Sequence, residues 1–280
     1  KREALCIKTI TIFNPDALPD YADLSKDYSK YSSPKNVLVK VQGEHTSLKS
    51  DSILIPTSDR IDAATEPSSP SKIRLNTIGG NWTWKLPGQW IEWNVDVPED
   101  GLYKIFIKAR QNNQRGMSAV RKISIDGEVP CKEFENVEFP YALKWDQFTP
   151  TDKESGKPCL VHLTKGTHTI RMESVLGRLT PILTAVDDLT YECNTLRRQF
   201  VMIMGSEPDL YRDYQLEKEI PGLTDKLKEL ADRFEYQADE FERIAGQQGS
   251  EAQSLCQVSD QLNLFAKQPK YIPNRQTSVR

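Results

Sequence analysis

From Gln89 to Val97 the apolar residues Ile91, Trp93, Val95 and Val97 alternate with Glu92, Asn94 and Asp96. This is the period-two pattern of a strand that buries one face. Pro98-Glu99-Asp100-Gly101 interrupts it: proline fixes φ, glycine supplies positive φ, and the chain turns. Beyond the turn, over residues 102–109, Tyr103, Ile105 and Ile107 alternate with Lys104 and Lys108, so the two runs predict a β-hairpin. Short runs of the same kind recur at 37–41, 53–55, 73–75, 121–125, 159–163 and 168–174, with Asp126-Gly127 and Lys165-Gly166 as tight turns. Many short strands at this spacing predict an antiparallel β-sandwich over residues 36–178. Residues 61–71, rich in Pro, Ser and Ala, and residues 139–158 are expected as long surface loops.

After Leu179 the period changes. Val186, Leu189, Cys193, Leu196, Phe200 and Ile203 step by three and four, the stripe of an amphipathic helix ending at Gly205. A second helix carries Ile220, Leu223, Leu227, Leu230, Phe234, Ala238 and Phe241, with Pro221 in its first turn and Gly246 as its stop. A third presents Ala252, Leu255, Val258, Leu262 and Phe265. Three such stripes bury one another, which predicts an antiparallel three-helix bundle over 179–275, a rigid support with no catalytic pocket. At the other end, residues 5–13 read as a strand, and residues 15–35, without sustained periodicity, as a linker with one helical turn. The chain is therefore a multi-domain β plus α protein with segments 1–35, 36–178 and 179–275.

Composition narrows the function. At 280 residues, with 38% hydrophobic and 28% charged, the chain is long enough for two compact units with real cores. A net charge of −3 and a pI near 5.8 provide no basic field for phosphate backbones, so no nucleic-acid partner is expected. No apolar run approaches the roughly 18 residues of a membrane helix, so direct membrane insertion is not expected either. The first residues lack a signal-peptide pattern; an exported protein would carry its targeting segment outside this chain. Cys6, Cys131, Cys159, Cys193 and Cys256 are scattered, without the CxxC spacing of a zinc or redox motif. They read as isolated packed thiols, except that Cys131 and Cys159 could pair if the sandwich brings them together.

Candidate chemistry is sparse on the enzymatic side. His45, His162 and His168 have no ligand spacing, and G-x-S-x-G, H-E-x-x-H and phosphate-loop patterns are absent. A noncatalytic protein is expected. The five tryptophans carry the sharper signal, because sugar rings pack their C–H faces on flat indoles while their hydroxyls need planar polar partners. Trp93 is in phase with the buried face and belongs to the core. Trp82 and Trp84 lie in a Gly-rich loop, where each could equally cap the sandwich or stack on a ligand, and the loop 110–115 offers polar partners. The candidate carbohydrate-binding residues are Trp82, Trp84, Arg110, Gln111, Asn112, Arg115 and Trp145.

Several stretches resemble known families. Residues 90–105, Trp-Ile-Glu-Trp-Asn-Val-Asp-Val-Pro-Glu-Asp-Gly-Leu-Tyr-Lys-Ile, resemble the hairpin of galactose-binding-like sandwiches, in particular carbohydrate-binding modules of families six and thirty-five. Residues 39–48 are similar to the opening strand of those modules, and residues 163–170 to a late hairpin. The run Asp209-Leu-Tyr-Arg-Asp-Tyr-Gln-Leu-Glu-Lys-Glu-Ile-Pro, with Lys72–Gly80, Pro87–Trp93, Arg110-Gln-Asn and His168-Thr-Ile-Arg, resembles large extracellular solute-binding proteins of sugar transporters in Gram-positive bacteria. These resemblances cover most of residues 1–275. They imply a galactose-binding-like jelly roll, an oligo- or polysaccharide ligand, an extracellular or cell-surface location, and a downstream solute-binding domain of the same ABC-transporter protein as partner. The alternative is a structural spacer or interaction module without sugar affinity of its own.

The module families also often hold a structural calcium through acidic groups on the opening strand and an aspartate near the closing strand. Glu44 matches one such position, but Gln42 stands where a second acid is common, and calcium needs about six to eight oxygens. No cofactor is expected beyond that one candidate. Finally, residues 1–13 resemble the closing strand of a preceding module, with Lys8 where an aspartate is frequent. Since an open sheet edge invites strand addition, residues 5–13 are expected to pair within the sandwich, in the same molecule or by exchange with a neighbour.

Overall fold

The structure is a computed structural model that describes residues 17–60, 65–67, 72–80, 83–113, 115–247 and 249–275. The expected strand 5–13 and its pairing, Cys6 and Trp82 lie outside the described residues. The chain divides into two compact units, one comprising residues 1–110 and 120–175, the other residues 111–119 and 176–280.

Within the first unit the strands are β1 (Leu48–Lys49), β2 (Pro56–Thr57), β3 (Thr77–Ile78), β4 (Trp90–Val97), β5 (Gly101–Lys104), β6 (Ile107–Ala109), β7 (Ala119–Ile125), β8 (Val137–Phe139), β9 (Asp146–Phe148), β10 (Leu160–Leu163) and β11 (Gly166–Val175). A five-stranded sheet runs β1-β4-β11-β7-β8, and β5 with β10, β2 with β3, and β6 with β9 form antiparallel pairs. The antiparallel register sets Ile91 opposite Met172 and Trp93 opposite Ile170, and on the other side of β11 Ile123 opposite Met172 and Ile125 opposite Ile170. Ile91, Trp93, Ile123, Ile125 and Met172 are buried at these facing positions and Ile170 is half-buried. Burying each aliphatic side chain contributes about 1.5–3 kcal/mol.

Several expectations change. The runs 53–55 and 73–75 are not strands; the paired residues are Pro56–Thr57 and Thr77–Ile78, just beyond each run. The run 102–109 is not one strand: β5 pairs with β10, the ladder breaks at Ile105-Phe106, and β6 pairs with β9. Residues 37–40 keep the alternation in their burial, with Val37 and Val39 half-buried and Leu38 and Lys40 exposed, but Val41 is exposed and the run forms no described strand. The stretch 139–158 contains β9, whose Phe148 ring packs edge-on against Phe139 at 5.2 Å between centroids.

The presumed linker is docked. Helix α1 (Tyr21–Tyr28) offers the Tyr21 hydroxyl to the Leu160 amide at 2.9 Å, and the Tyr21 amide donates to Glu133 Oε2 at 3.0 Å in the short helix α2 (Lys132–Glu135). Tyr31 stacks on His162 at 3.7 Å, and the Leu102 amide donates to the Ser32 carbonyl at 3.1 Å. Tyrosines that read as polar linker residues thus act as anchors, each contributing an apolar body and a polar tip.

The second unit is helical: α3 (Thr180–Met204), α4 (Leu216–Glu219), α5 (Leu223–Ala245), α6 (Ser250–Lys267) and α7 (Ile272–Arg275). Leu189, Leu196 and Phe200 of α3, Leu223, Leu227, Leu230 and Phe234 of α5, and Leu262 and Phe265 of α6 form one core, as the three stripes require. Two short helices add to it, burying Leu216 and Ile272 to 3% and 1% exposure. Helix α5 starts after Gly222, which takes the left-handed φ of 74°, so Pro221 precedes the helix rather than occupying its first turn. Gly246, at φ 67°, closes the same helix.

Candidate functional site

The register of β6 and β9, with Ala109 opposite Asp146, carries Arg110 and Trp145 out of the ladder side by side. The Arg110 guanidinium lies over the Trp145 ring, 5.3 Å from its centroid. Asp59 Oδ2 holds both: it accepts the Trp145 indole N–H at 2.6 Å and pairs with Arg110 Nη2 at 3.2 Å. Arg110 Nη1 is buried without a hydrogen-bond partner. Asp59 is fixed in turn by Asn76, whose amide side chain accepts from the Asp59 amide at 2.8 Å and donates to the Asp59 carbonyl at 2.9 Å. This two-way bracket, with the Asn76 amide at 5% exposure, leaves the carboxylate little freedom to leave the pair. Beside Trp145, residues 141–146 line an open hollow of about 590 Å³ in which Leu143 is exposed.

Sequence reasoning selected Arg110 and Trp145 but missed Asp59 and Asn76. Asp59 lies 86 residues from Trp145 and 17 from Asn76, and no local spacing marks either contact.

Trp84 is tied into the fold. Its indole N–H donates to the Gln89 carbonyl at 3.0 Å, and Gln89 Oε1 accepts the Lys85 and Leu86 amides at 3.0 Å each. The ring sits against Gly79, where a Cβ would lie 3.2 Å from Trp84 Cε3, and under Arg121 at 4.5 Å. Burial pushes the Arg121 guanidinium down to about 10. Trp93 is a core residue as expected, 9% exposed, donating its N–H to the Gly43 carbonyl at 2.9 Å. Gln111, Asn112 and Arg115 belong to the helical unit, whereas Arg110, Trp84 and Trp145 belong to the β unit. There Gln111 Nε2 donates to the Met117 carbonyl at 2.7 Å, and the Arg115 carbonyl accepts from Gln247 at 3.0 Å.

Glu44 Oε2 is buried without a hydrogen-bond partner, a feature a cation could satisfy. Among the described residues, however, no group of three His, Cys, Asp or Glu side chains is placed to hold a metal. The described donors therefore do not make up a calcium site.

Residues 181–279 match the family model of the bacterial solute-binding protein 4-helix bundle domain. The match includes the Asp209 motif that carries the resemblance to solute-binding proteins. Similar solved structures include a native family 35 carbohydrate binding module from Clostridium thermocellum (18% identity, 32% of this chain and 60% of that one, TM-score 0.25). A CBM35 from Cellvibrio japonicus Abf62 is 13% identical over 49% of this chain and 83% of that one, with a TM-score of 0.32. The Podospora anserina GH26-CBM35 β-(1,4)-mannanase is 12% identical over 49% and 24%, also at 0.32. The chain thus spans less than two thirds of the Clostridium module, and scores this low carry neither a ligand nor an activity over to it. No curated protein matches the chain. Among the described residues no helix is long and apolar enough to cross a membrane.

Proposed function

We propose that this chain is a noncatalytic, carbohydrate-binding region of an extracellular solute-binding protein serving a sugar ABC transporter of Gram-positive type. The observation that carries the reading is the Asp59–Arg110–Trp145 cluster beside the open hollow of residues 141–146. An indole held by its N–H offers its remaining apolar surface in one orientation, and the guanidinium beside it, its side chain 15% exposed, presents a polar edge to ring hydroxyls. Both are what an oligosaccharide requires, and both are held before any ligand arrives, which lowers the ordering cost of binding. Arg110 and Trp145 are the proposed contacts. The helical unit acts as the support through which the region joins a downstream solute-binding domain of the same protein.

The inward packing of Trp84 favours a second reading, in which the chain is a spacer without sugar affinity. A glycan-array screen of the chain separates them, followed by titration of Trp145→Ala and Arg110→Ala against the best ligand. Each substitution should weaken binding by about 1–3 kcal/mol, roughly 5- to 150-fold. A blank array, or a ligand bound equally well by Trp145→Ala, removes the cluster as the sugar site.

A further inference from the structure

Cys131 stands directly before α2 and Cys159 directly before β10, positions 28 apart in sequence, and both are 0% exposed. Their thiols are neighbours: the hydrogen bond with Cys159 is the largest influence holding the Cys131 thiol above its ordinary range, burial and the nearby Glu133 carboxylate adding to it. Tyr21 lies near both, since each sulfur acts on its hydroxyl, and the Cys159 amide is fixed to the Pro150 carbonyl at 2.8 Å. Two small buried side chains within hydrogen-bonding reach of each other, on separate segments, are neighbours that a cross-link could join.

We propose that Cys131 and Cys159 form a disulfide when the protein folds in an oxidising compartment. The chemistry is thiol–disulfide exchange with an external disulfide, either of a thiol oxidoreductase or of a small molecule. One cysteine thiolate attacks the oxidant's disulfide and displaces a thiolate, forming a mixed disulfide. The second cysteine, also deprotonated, attacks the protein sulfur of that mixed disulfide, and the second oxidant thiolate leaves. The cysteines give up two protons and two electrons, and the oxidant becomes two thiols. In the native structure neither sulfur is reachable and the Cys131 proton is held tightly, so exchange belongs to the folding chain, and the finished bond is shielded from reductant. The closed loop contains α2, β8, β9 and Trp145, so the cross-link fastens the segment that lines the proposed sugar hollow. The bond needs an exported location from the reading above, but its detection does not involve sugar.

The test uses the full chain, exported to a bacterial periplasm and, in parallel, refolded from reduced denatured protein in a glutathione–glutathione disulfide buffer. Free thiols are alkylated under denaturing conditions, and the unreduced digest is analysed by mass spectrometry. The expected product is a peptide pair joined through Cys131 and Cys159, two hydrogens lighter than the sum of its reduced halves. In the folded protein this bond should resist dithiothreitol until denaturant is added. Cys131→Ser and Cys159→Ser should each abolish the pair and leave the remaining thiol alkylatable. Full alkylation of both cysteines in wild-type protein from both sources, or joining of Cys131 to a different cysteine, overturns the proposal. Sugar binding can fail on the array while the cross-link is found, and the reverse, so the two ideas fall separately.

Discussion

His168 Nδ1 lies 2.6 Å from Asp126 Oδ2, while its Nε2 lies 2.8 Å from the Thr164 carbonyl oxygen. Both partners are acceptors, and a histidine ring donates from both nitrogens only as imidazolium. Partial burial works against the charge, but the Asp126 carboxylate and the Thr164 carbonyl outweigh it and raise the His168 pKa above its ordinary value. Asp126 moves the other way. Burial opposes its charge, yet the Thr169 amide at 2.8 Å and the imidazolium depress its pKa below the usual carboxylate value.

The signs fix the pH window. A raised histidine pKa contributes stability that is complete below the unfolded value of about 6.5 and is lost as pH rises through the folded value. A depressed aspartate pKa contributes stability present above the unfolded value of about 3.9 and lost as pH falls through the folded one. The pair should therefore hold the turn that follows β7 against β11 most firmly between those limits. Because Asp126 is half-exposed, its worth is held below about 1 kcal/mol. Melting curves of wild type and His168→Gln should differ most near pH 5–6 and converge above the folded pKa. A difference that grows with pH would mean that the ring is neutral.

Trp84 and Trp93 differ in sequence context but share a neighbourhood, their ring centroids 6.5 Å apart at 53°. Trp84→Ala would uncover Arg121 and open space beside Gly79. Its cost should be about 2–4 kcal/mol, close to the 3–5 kcal/mol expected for Trp93→Ala, both read from denaturant unfolding. If Trp84→Ala unfolded like wild type while Trp93→Ala was crippled, the Trp84 indole would be free to serve a ligand.

Helix α5 gives the simplest check of the bundle. Leu227 is 1% exposed inside the core shared by α3, α5 and α6. Leu227→Asp would place a carboxylate in that apolar seam without a partner, at a cost above about 4 kcal/mol. Far-UV circular dichroism should show a loss of helix and an early transition, whereas Leu227→Met should cost less than about 1.5 kcal/mol. Retained helicity in the aspartate variant would contradict the packing.

What could be read in the sequence is what repeats. The alternation in 90–97 and 168–174 gave the two central strands, and the three-and-four spacing of Leu223, Leu227, Leu230 and Phe234 gave the longest shared seam, because both patterns are written every few residues. The site was only half legible. Arg110 and Trp145 stood out by residue type, whereas Asp59 and Asn76 act through contacts whose partners lie far away in the chain. Residues 15–35 misled for a related reason: their anchors are single tyrosines and backbone groups, which leave no periodic trace. Residues 111–119 fall inside the expected sandwich of 36–178 because no change of period marks them off, although Met117 packs with Ile182, Ala238 and Ala245 of the helical unit.

That docked segment yields the last prediction. Gly101 begins β5 at a φ of 155°, and a Cβ placed there would lie 2.6 Å from Pro34 Cδ and 2.7 Å from the Ser32 carbonyl oxygen. The same carbonyl accepts the Leu102 amide at 3.1 Å. A methyl group at position 101 can be relieved only by pushing residues 32–34 off the strand, which breaks that hydrogen bond and strains the Tyr31–His162 stack behind it. Gly101→Ala should therefore destabilise the β unit by about 1–3 kcal/mol. Amide exchange should accelerate at Leu102 and over residues 17–34, while the helical unit is unaffected. If residues 17–34 were a free linker, the substitution would leave their exchange at the rate of an open chain and change only the turn at residues 98–101.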